Sequence, residues 1–237
     1  MGTPVMQSDY KVRYLHDDII AAAADSCWRH APPERPYTFD VIKLLEVLVT
    51  LGIDQVFHIK GDRRKGPLEV EFFDRRRRWQ WERPAWVTFD KRVKLIVDSA
   101  IWEGAKLGKT FAGFVLAHEV GHILLHDSTA KAFSSSKSEQ LSFVGEGESA
   151  EEQANSFAGH LLVPTRTVHR FPDKDLLAAV CNVPDELAAD RLAAVSNAKA
   201  ILAQHSMTDY CRGCGRFTEV SLGVCGSCTH DQLQPAS

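Results

Sequence analysis

No stretch of this 237-residue sequence stays apolar long enough to cross a membrane as a helix. The best candidate, Phe111 to Leu125, is interrupted by His118, Glu119 and His122. Residues 1–18 hold no apolar segment of the kind that directs secretion, and position 6, where a myristoylation signal requires Ser or Thr, is Met6. A dominant charge is missing too. The net charge of −3 provides no global attraction for nucleic acid or a membrane surface. No internal repeat is present. The expectation from these absences is a cytoplasmic protein without a membrane partner.

Cysteine is scarce outside the C-terminal end. Cys27 and Cys181 stand alone and read as small core residues. The other four form Cys211-Arg-Gly-Cys214 and Cys225-Gly-Ser-Cys228, with ten residues between the pairs. A reducing compartment argues against disulfides, and this C-x2-C…C-x2-C spacing suits one structural Zn²⁺. Gly215 follows the first pair, where a knuckle turn needs a residue tolerant of positive φ. Arg216 to Val224 can fold as a short hairpin, giving a zinc-ribbon module. So small a piece cannot hold a core alone, so the metal would supply its folding energy.

The composition that remains, 44% hydrophobic and 25% charged, is that of a globular chain with a core. Apolar spacing predicts a helix over Tyr10–Arg29 and a second, capped by Thr38, running to about Leu51 and stopped by Gly52. Leu68 to Phe72 alternates as a half-buried strand, and Ala85–Phe89 and Val93–Trp102 read as two more. The three are expected to form a small antiparallel sheet, so the fold class is α+β. Phe111–His126 is apolar nearly all round and predicts a buried helix. A Ser-, Lys- and Gly-rich loop covers Asp127–Ala150, then helices are expected over Glu151–Leu162, Asp173–Val180 and Asp185–Gln204. The expected domains are residues 1–170, a helical segment 171–206 and the ribbon 207–237.

The buried helix carries the chemistry. His118 and His122 lie one turn apart on one face, so both imidazoles can bind one Zn²⁺. Glu119 projects beside them, where a carboxylate can take a proton from a water activated by the metal. Polar side chains in an apolar helix cost desolvation energy unless partnered, and a metal is a natural partner. Gly121 costs about 1 kcal/mol against Ala in mid-helix, which points to close approach of a neighbouring element. His126 lies two turns from His118, too far to share the metal along a continuous helix. It reads as structural, as a partner outside the ligand set, or as an oxyanion donor, and His160 is a further candidate for that last role.

A catalytic zinc needs a third protein ligand and one open position. Glu151, Ala154, Ala158 and Leu161 step by three or four and form an inward stripe on the following helix. Glu151 is therefore the expected third ligand and Glu152 the reserve. Either could instead be a solvated first-turn carboxylate, favoured there by the helix dipole.

Three segments together resemble the ImmA/IrrE family of metallopeptidases. They are Leu116-Ala117-His118-Glu119-Val120-Gly121-His122-Ile123-Leu124-Leu125-His126, then Glu151-x-x-Ala154-Asn155-x-Phe157-Ala158-x-x-Leu161-Leu162-Val163-Pro164, then Asp175 to Pro184 with Arg191-Leu192. The resemblance covers about Thr38 to Gln204. It implies a gluzincin-like fold in which the sheet packs with the zinc-binding helices, His118, His122 and Glu151 as ligands and Glu119 as general base. It also implies the substrate class, a helix-turn-helix transcriptional repressor. The cysteine module and the long Asp127–Ala150 loop depart from the usual pattern.

The function expected is a zinc endopeptidase that cleaves a specific regulatory protein by attack of activated water. One alternative is a SprT-like protease acting on DNA-bound proteins, which would need a downstream histidine ligand. The other is a non-catalytic, zinc-stabilised regulator that binds a repressor or DNA. Arg75–Arg78 with Trp79 and Trp81 could grip nucleic acid but read more simply as a solvated hairpin tip. The third segment of the ImmA/IrrE resemblance, within residues 171–206, resembles a helix-turn-helix but has few cations besides Arg191, which argues against DNA contact there. Substrate backbone is expected to pair along a sheet edge, with Val93–Trp102 as the candidate strand.

Overall fold

A computed structural model describes residues 12–74, 83–127 and 148–205, and beyond them the backbone of four two-residue strands. The chain divides into two compact units, residues 1–191 and 192–237.

The described residues of the first unit start with a non-helical segment, 12–16, where a helix is expected; Tyr10 lies outside them. Val12 N–H donates to Glu148 O at 2.8 Å, which ties this segment to another part of the chain. Helix α1 (Asp17–His30) starts only at His16, whose ring accepts from Asp18 N, with Asp17 and Asp18 favourably placed in the first turn. Helix α2 (Val41–Thr50) is capped by Asp40, which accepts from Lys43 N, and not by Thr38. The Thr38 hydroxyl donates instead to Val180 O at 3.0 Å. Gly52, at φ 95°, turns the chain into the short α3 (Ile53–Val56).

Strands β1 (Glu69–Phe73), β2 (Ala85–Phe89) and β3 (Val93–Asp98) form one sheet in the order β1-β3-β2. The sheet is mixed, which corrects the antiparallel expectation. β2 and β3 form a hairpin, whereas β1 runs parallel to β3 with Val70 opposite Leu95. Alternating apolar residues fix which faces a strand buries but say nothing of its direction. The expected strand to Trp102 also ends early. Asp98 accepts from Ala100 N at 2.9 Å and caps α4 (Ser99–Lys106).

Helix α5 (Thr110–Leu125) is buried on nearly every side and packs on α4, β2 and, most extensively, α6 (Ala150–Leu162). Two carbonyls of its last turn, Ile123 O and Leu124 O, accept from the half-buried Lys65 ammonium at 2.8 and 3.0 Å. That cation suits the negative end of the helix dipole, and burial pulls its pKa down to about 8. Three helices follow: α7 (Thr165–Arg170), α8 (Lys174–Cys181) and α9 (Asp185–His205). α8 ends on Asn182 in the left-handed conformation, as C-terminal caps commonly do. Cys27 and Cys181 are both buried, in keeping with their reading as core residues.

Gly121 accounts for the closeness of α5 and α6. A Cβ there would lie 2.9 Å from Ala154 Cα and 3.1 Å from Ala154 O, both backbone atoms that cannot move aside alone. Gly121→Ala is expected to destabilise the protein by about 1–3 kcal/mol through overpacking, opposed by about 1 kcal/mol of helix propensity. A urea melt of the two proteins checks this, and a variant more stable than the wild type would contradict the packing account.

In the second unit, β4 (Asp209–Tyr210) pairs antiparallel with β5 (Phe217–Thr218), and β6 (Val220–Ser221) with β7 (Val224–Cys225). The β6–β7 ladder falls largely within Arg216–Val224, where a short hairpin is expected, and β4 lies before that span. Cys225 ends β7, while Cys211, Cys214, Gly215 and Cys228 lie outside the described residues. So do Arg75–Arg78, Trp79 and Trp81, and most of the loop expected over Asp127–Ala150.

Candidate metal centre

Helices α5 and α6 bring three ligand atoms together. His118 Nε2 and His122 Nε2 are 3.1 Å apart, and the Glu151 carboxylate approaches them at 3.1 and 3.7 Å. All three residues offer ligand atoms within 4.8 Å of one another. Two imidazoles and one carboxylate form a donor set of catalytic zinc, which leaves a position open for water or substrate. Three polar groups converging where the apolar α5 meets α6 have a physical reason to be there if a cation joins them. The residues therefore fit the metal.

The reserve carboxylate is placed differently. Ser149 caps α6 by accepting from Glu152 N at 3.0 Å, which puts Glu152 in the third helical position with an exposed side chain. Glu152 is not in the converging trio.

The surroundings set the charge of each group. Burial opposes charge on His118, but its hydrogen bond to Glu151 and the carboxylates of Glu119 and Glu151 outweigh that and raise its pKa. Burial likewise works against the Glu151 carboxylate, and the hydrogen bonds from His118 and His122 more than reverse it, so its pKa is strongly lowered. Glu119 is buried at 8% exposure, and desolvation lifts its pKa against the pull of His122, His118 and Arg83. A carboxyl with a raised pKa is suited to accept and return a proton near neutrality.

Behind the ligands lies a second layer of polar contacts, most of it not foreseen from the sequence. Asn155 Oδ1 sits 2.8 Å from His118 Nδ1. His126, 3% exposed, has Nδ1 at 3.0 Å from His122 Nδ1 and Nε2 at 3.1 Å from Gln153 Oε1. The Gln153 amide nitrogen donates to Arg13 O at 2.8 Å. Asn155 could have been found from its i+4 spacing to Glu151, which puts both on one face. Gln153 had only its polarity within a buried helix as a signal, and Arg13 had none.

His160 is turned elsewhere. Its Nε2 lies 2.9 Å from Asp17 Oδ1, and its Nδ1 lies 3.3 Å from the Arg191 guanidinium. Nine residues beyond Glu151 is about 13 Å along the helix and half a turn round, so the sequence candidate for an oxyanion donor sits off the centre. Arg191 is itself buried and donates to Val163 O and Thr165 Oγ1. Its stem occupies the space where a Cβ on Gly159 would fall, at 2.7 Å.

A cavity of about 470 Å³ lies at the start of α5, lined in part by Phe39, Lys109, Gly113, Phe114 and Asn182. Phe114 connects it to the centre, with its ring centroid 6.4 Å from that of His118.

With this geometry in place, the class is that of a metallopeptidase-like site, two helix-borne histidines and a glutamate on the next helix with a buried carboxylate between. Residues 100–193 match a peptidase family model described as the IrrE N-terminal-like domain. The match runs from α4 into α9, under half of the chain, and supports the ImmA/IrrE resemblance over those residues. Comparison with curated proteins and with solved structures found no match. Among the described residues, no helix is long and apolar enough to cross a membrane.

Proposed function

We propose that the chain is a zinc-dependent endopeptidase of the cytoplasm that cleaves a specific regulatory protein. The convergence of His118, His122 and Glu151 beside buried Glu119 is the observation that carries this reading. Zinc, when bound there, supplies a Lewis acid that polarises a scissile carbonyl and activates water at neutral pH. Glu119 accepts the proton of the attacking water and delivers it to the leaving amide nitrogen as the C–N bond breaks. His126 and His160, which hydrogen-bond Gln153 and Asp17, are not given the oxyanion role.

Substrate binding is assigned to β2 rather than β3. β3 is the central strand and pairs on both sides, whereas β2 is an edge of the described sheet and packs on α5. An extended peptide pairing along β2 would run close to the metal helix. The cavity beside Phe114 offers room for one of its side chains.

The substrate class follows from the ImmA/IrrE resemblance, a helix-turn-helix transcriptional repressor. Cys211, Cys214, Cys225 and Cys228 are proposed to hold a second, structural zinc. A SprT-like reading would require a downstream histidine as third ligand instead of Glu151. Incubating the purified protein with helix-turn-helix regulators encoded beside it is expected to give cleavage of one of them at a single site, abolished by a chelator and restored by zinc. Cleavage indifferent to the chelator would contradict the zinc chemistry.

A further inference from the structure

The geometry points to His126 and Gln153 as positioning residues that fix which nitrogen of His122 is free to bind the metal, through a directed hydrogen-bond chain starting at the Arg13 carbonyl. This rests on the proposed metal at His118, His122 and Glu151.

The direction of the chain is set at its far end. A backbone carbonyl has no proton to give, so the atom of Gln153 facing Arg13 O at 2.8 Å must be its amide nitrogen. The amide is planar, so its oxygen then faces His126 Nε2 at 3.1 Å, and that nitrogen must carry a proton. His126 Nδ1 lies 3.0 Å from His122 Nδ1. A metal on His122 Nε2, the nitrogen that faces His118 and Glu151, leaves that ring's proton on Nδ1, so a second proton on His126 would set two N–H donors against each other. With His126 protonated on Nε2 alone, its Nδ1 offers a lone pair, and His122 Nδ1–H donates into it. The His122 Nε2 lone pair is left facing His118 and Glu151.

The opposite tautomer of His122 would put a proton on the nitrogen that must ligate. The chain therefore holds the His122 ring in the orientation and tautomer that a metal ligand needs. His118 is served by one direct partner, Asn155 Oδ1. His122 is served at one remove, because His126 stands between it and α6. The chain also gives a role to the non-helical residues 12–16. Were Arg13 inside a longer α1, its carbonyl would be taken by a helical hydrogen bond. Tied by Val12 to Glu148, it accepts from Gln153 instead.

The test uses the full chain and Zn²⁺ as probe. Competition titrations against a chelator, compared with a His118→Ala/His122→Ala variant, isolate this site from the cysteine module. Gln153→Leu is expected to weaken zinc binding about 10- to 100-fold, and an unchanged affinity would overturn the chain. A second measurement does not depend on the variant folding. Long-range ¹H–¹⁵N correlation spectra of the zinc-loaded wild-type protein should show His126 neutral with its proton on Nε2. A proton on His126 Nδ1 overturns the chain while leaving the metal reading intact. If instead the His118→Ala/His122→Ala variant binds as much zinc as wild type, the metal reading fails and the chain fails with it.

Discussion

Replacing Glu119 by Gln is expected to lower peptide hydrolysis about a hundred- to ten-thousand-fold, the range that a positioned general acid–base contributes, while zinc stays bound. Glu119 sits between the two histidines in sequence yet is not in the converging trio. Its side chain is buried, and desolvation raises its pKa. Gln keeps the shape and removes the proton-accepting oxygen, so packing and metal content should survive. Rates on a cleaved regulator, with zinc measured in the same samples, check both halves. A Gln variant that works as well as wild type, in cells and in vitro, would favour a non-catalytic regulator over a peptidase.

Replacing Glu151 by Ala is expected to act on the metal itself. The side chain supplies one of three converging ligands and approaches both Nε2 atoms. Losing a ligand should cost more than the roughly 10- to 100-fold loss typical of an outer partner, so zinc content should fall by one per chain and activity should vanish with it. The exposed Glu152 provides the comparison. Glu152→Ala should leave zinc content unchanged, since Glu152 contributes its backbone N–H to the Ser149 cap and stands outside the trio. If Glu152→Ala lost the metal and Glu151→Ala kept it, the assignment of the third ligand would be reversed.

How far the site was legible in the sequence depended on whether a residue's role follows from spacing. His118 and His122 lie one turn apart on a helix, and Glu151 belongs to a stripe stepping by three or four, so helical geometry put each on an inward face and favoured Glu151 over the reserve Glu152. Gly121 was readable for the same reason, because its cost in a helix interior demands a close neighbour. Gln153 and Arg13 were not readable, since their contact joins residues 140 positions apart and depends on where α1 begins. The polarity of strands escaped in the same way. Alternation in Leu68–Phe72 marks a face, and only the tertiary pairing makes β1 parallel to β3. Val93–Trp102 was overextended because apolar residues continue past Asp98, where a side chain capping Ala100 N converts the strand into a helix.

Crystallography of the zinc-loaded protein with anomalous scattering at the zinc edge tests the central claim most directly. The account predicts a peak about 2.0–2.2 Å from His118 Nε2, His122 Nε2 and a Glu151 oxygen, with Glu119 close by and not ligating. A zinc-replete protein with no peak between α5 and α6, or a peak ligated by Glu152 in place of Glu151, would contradict it.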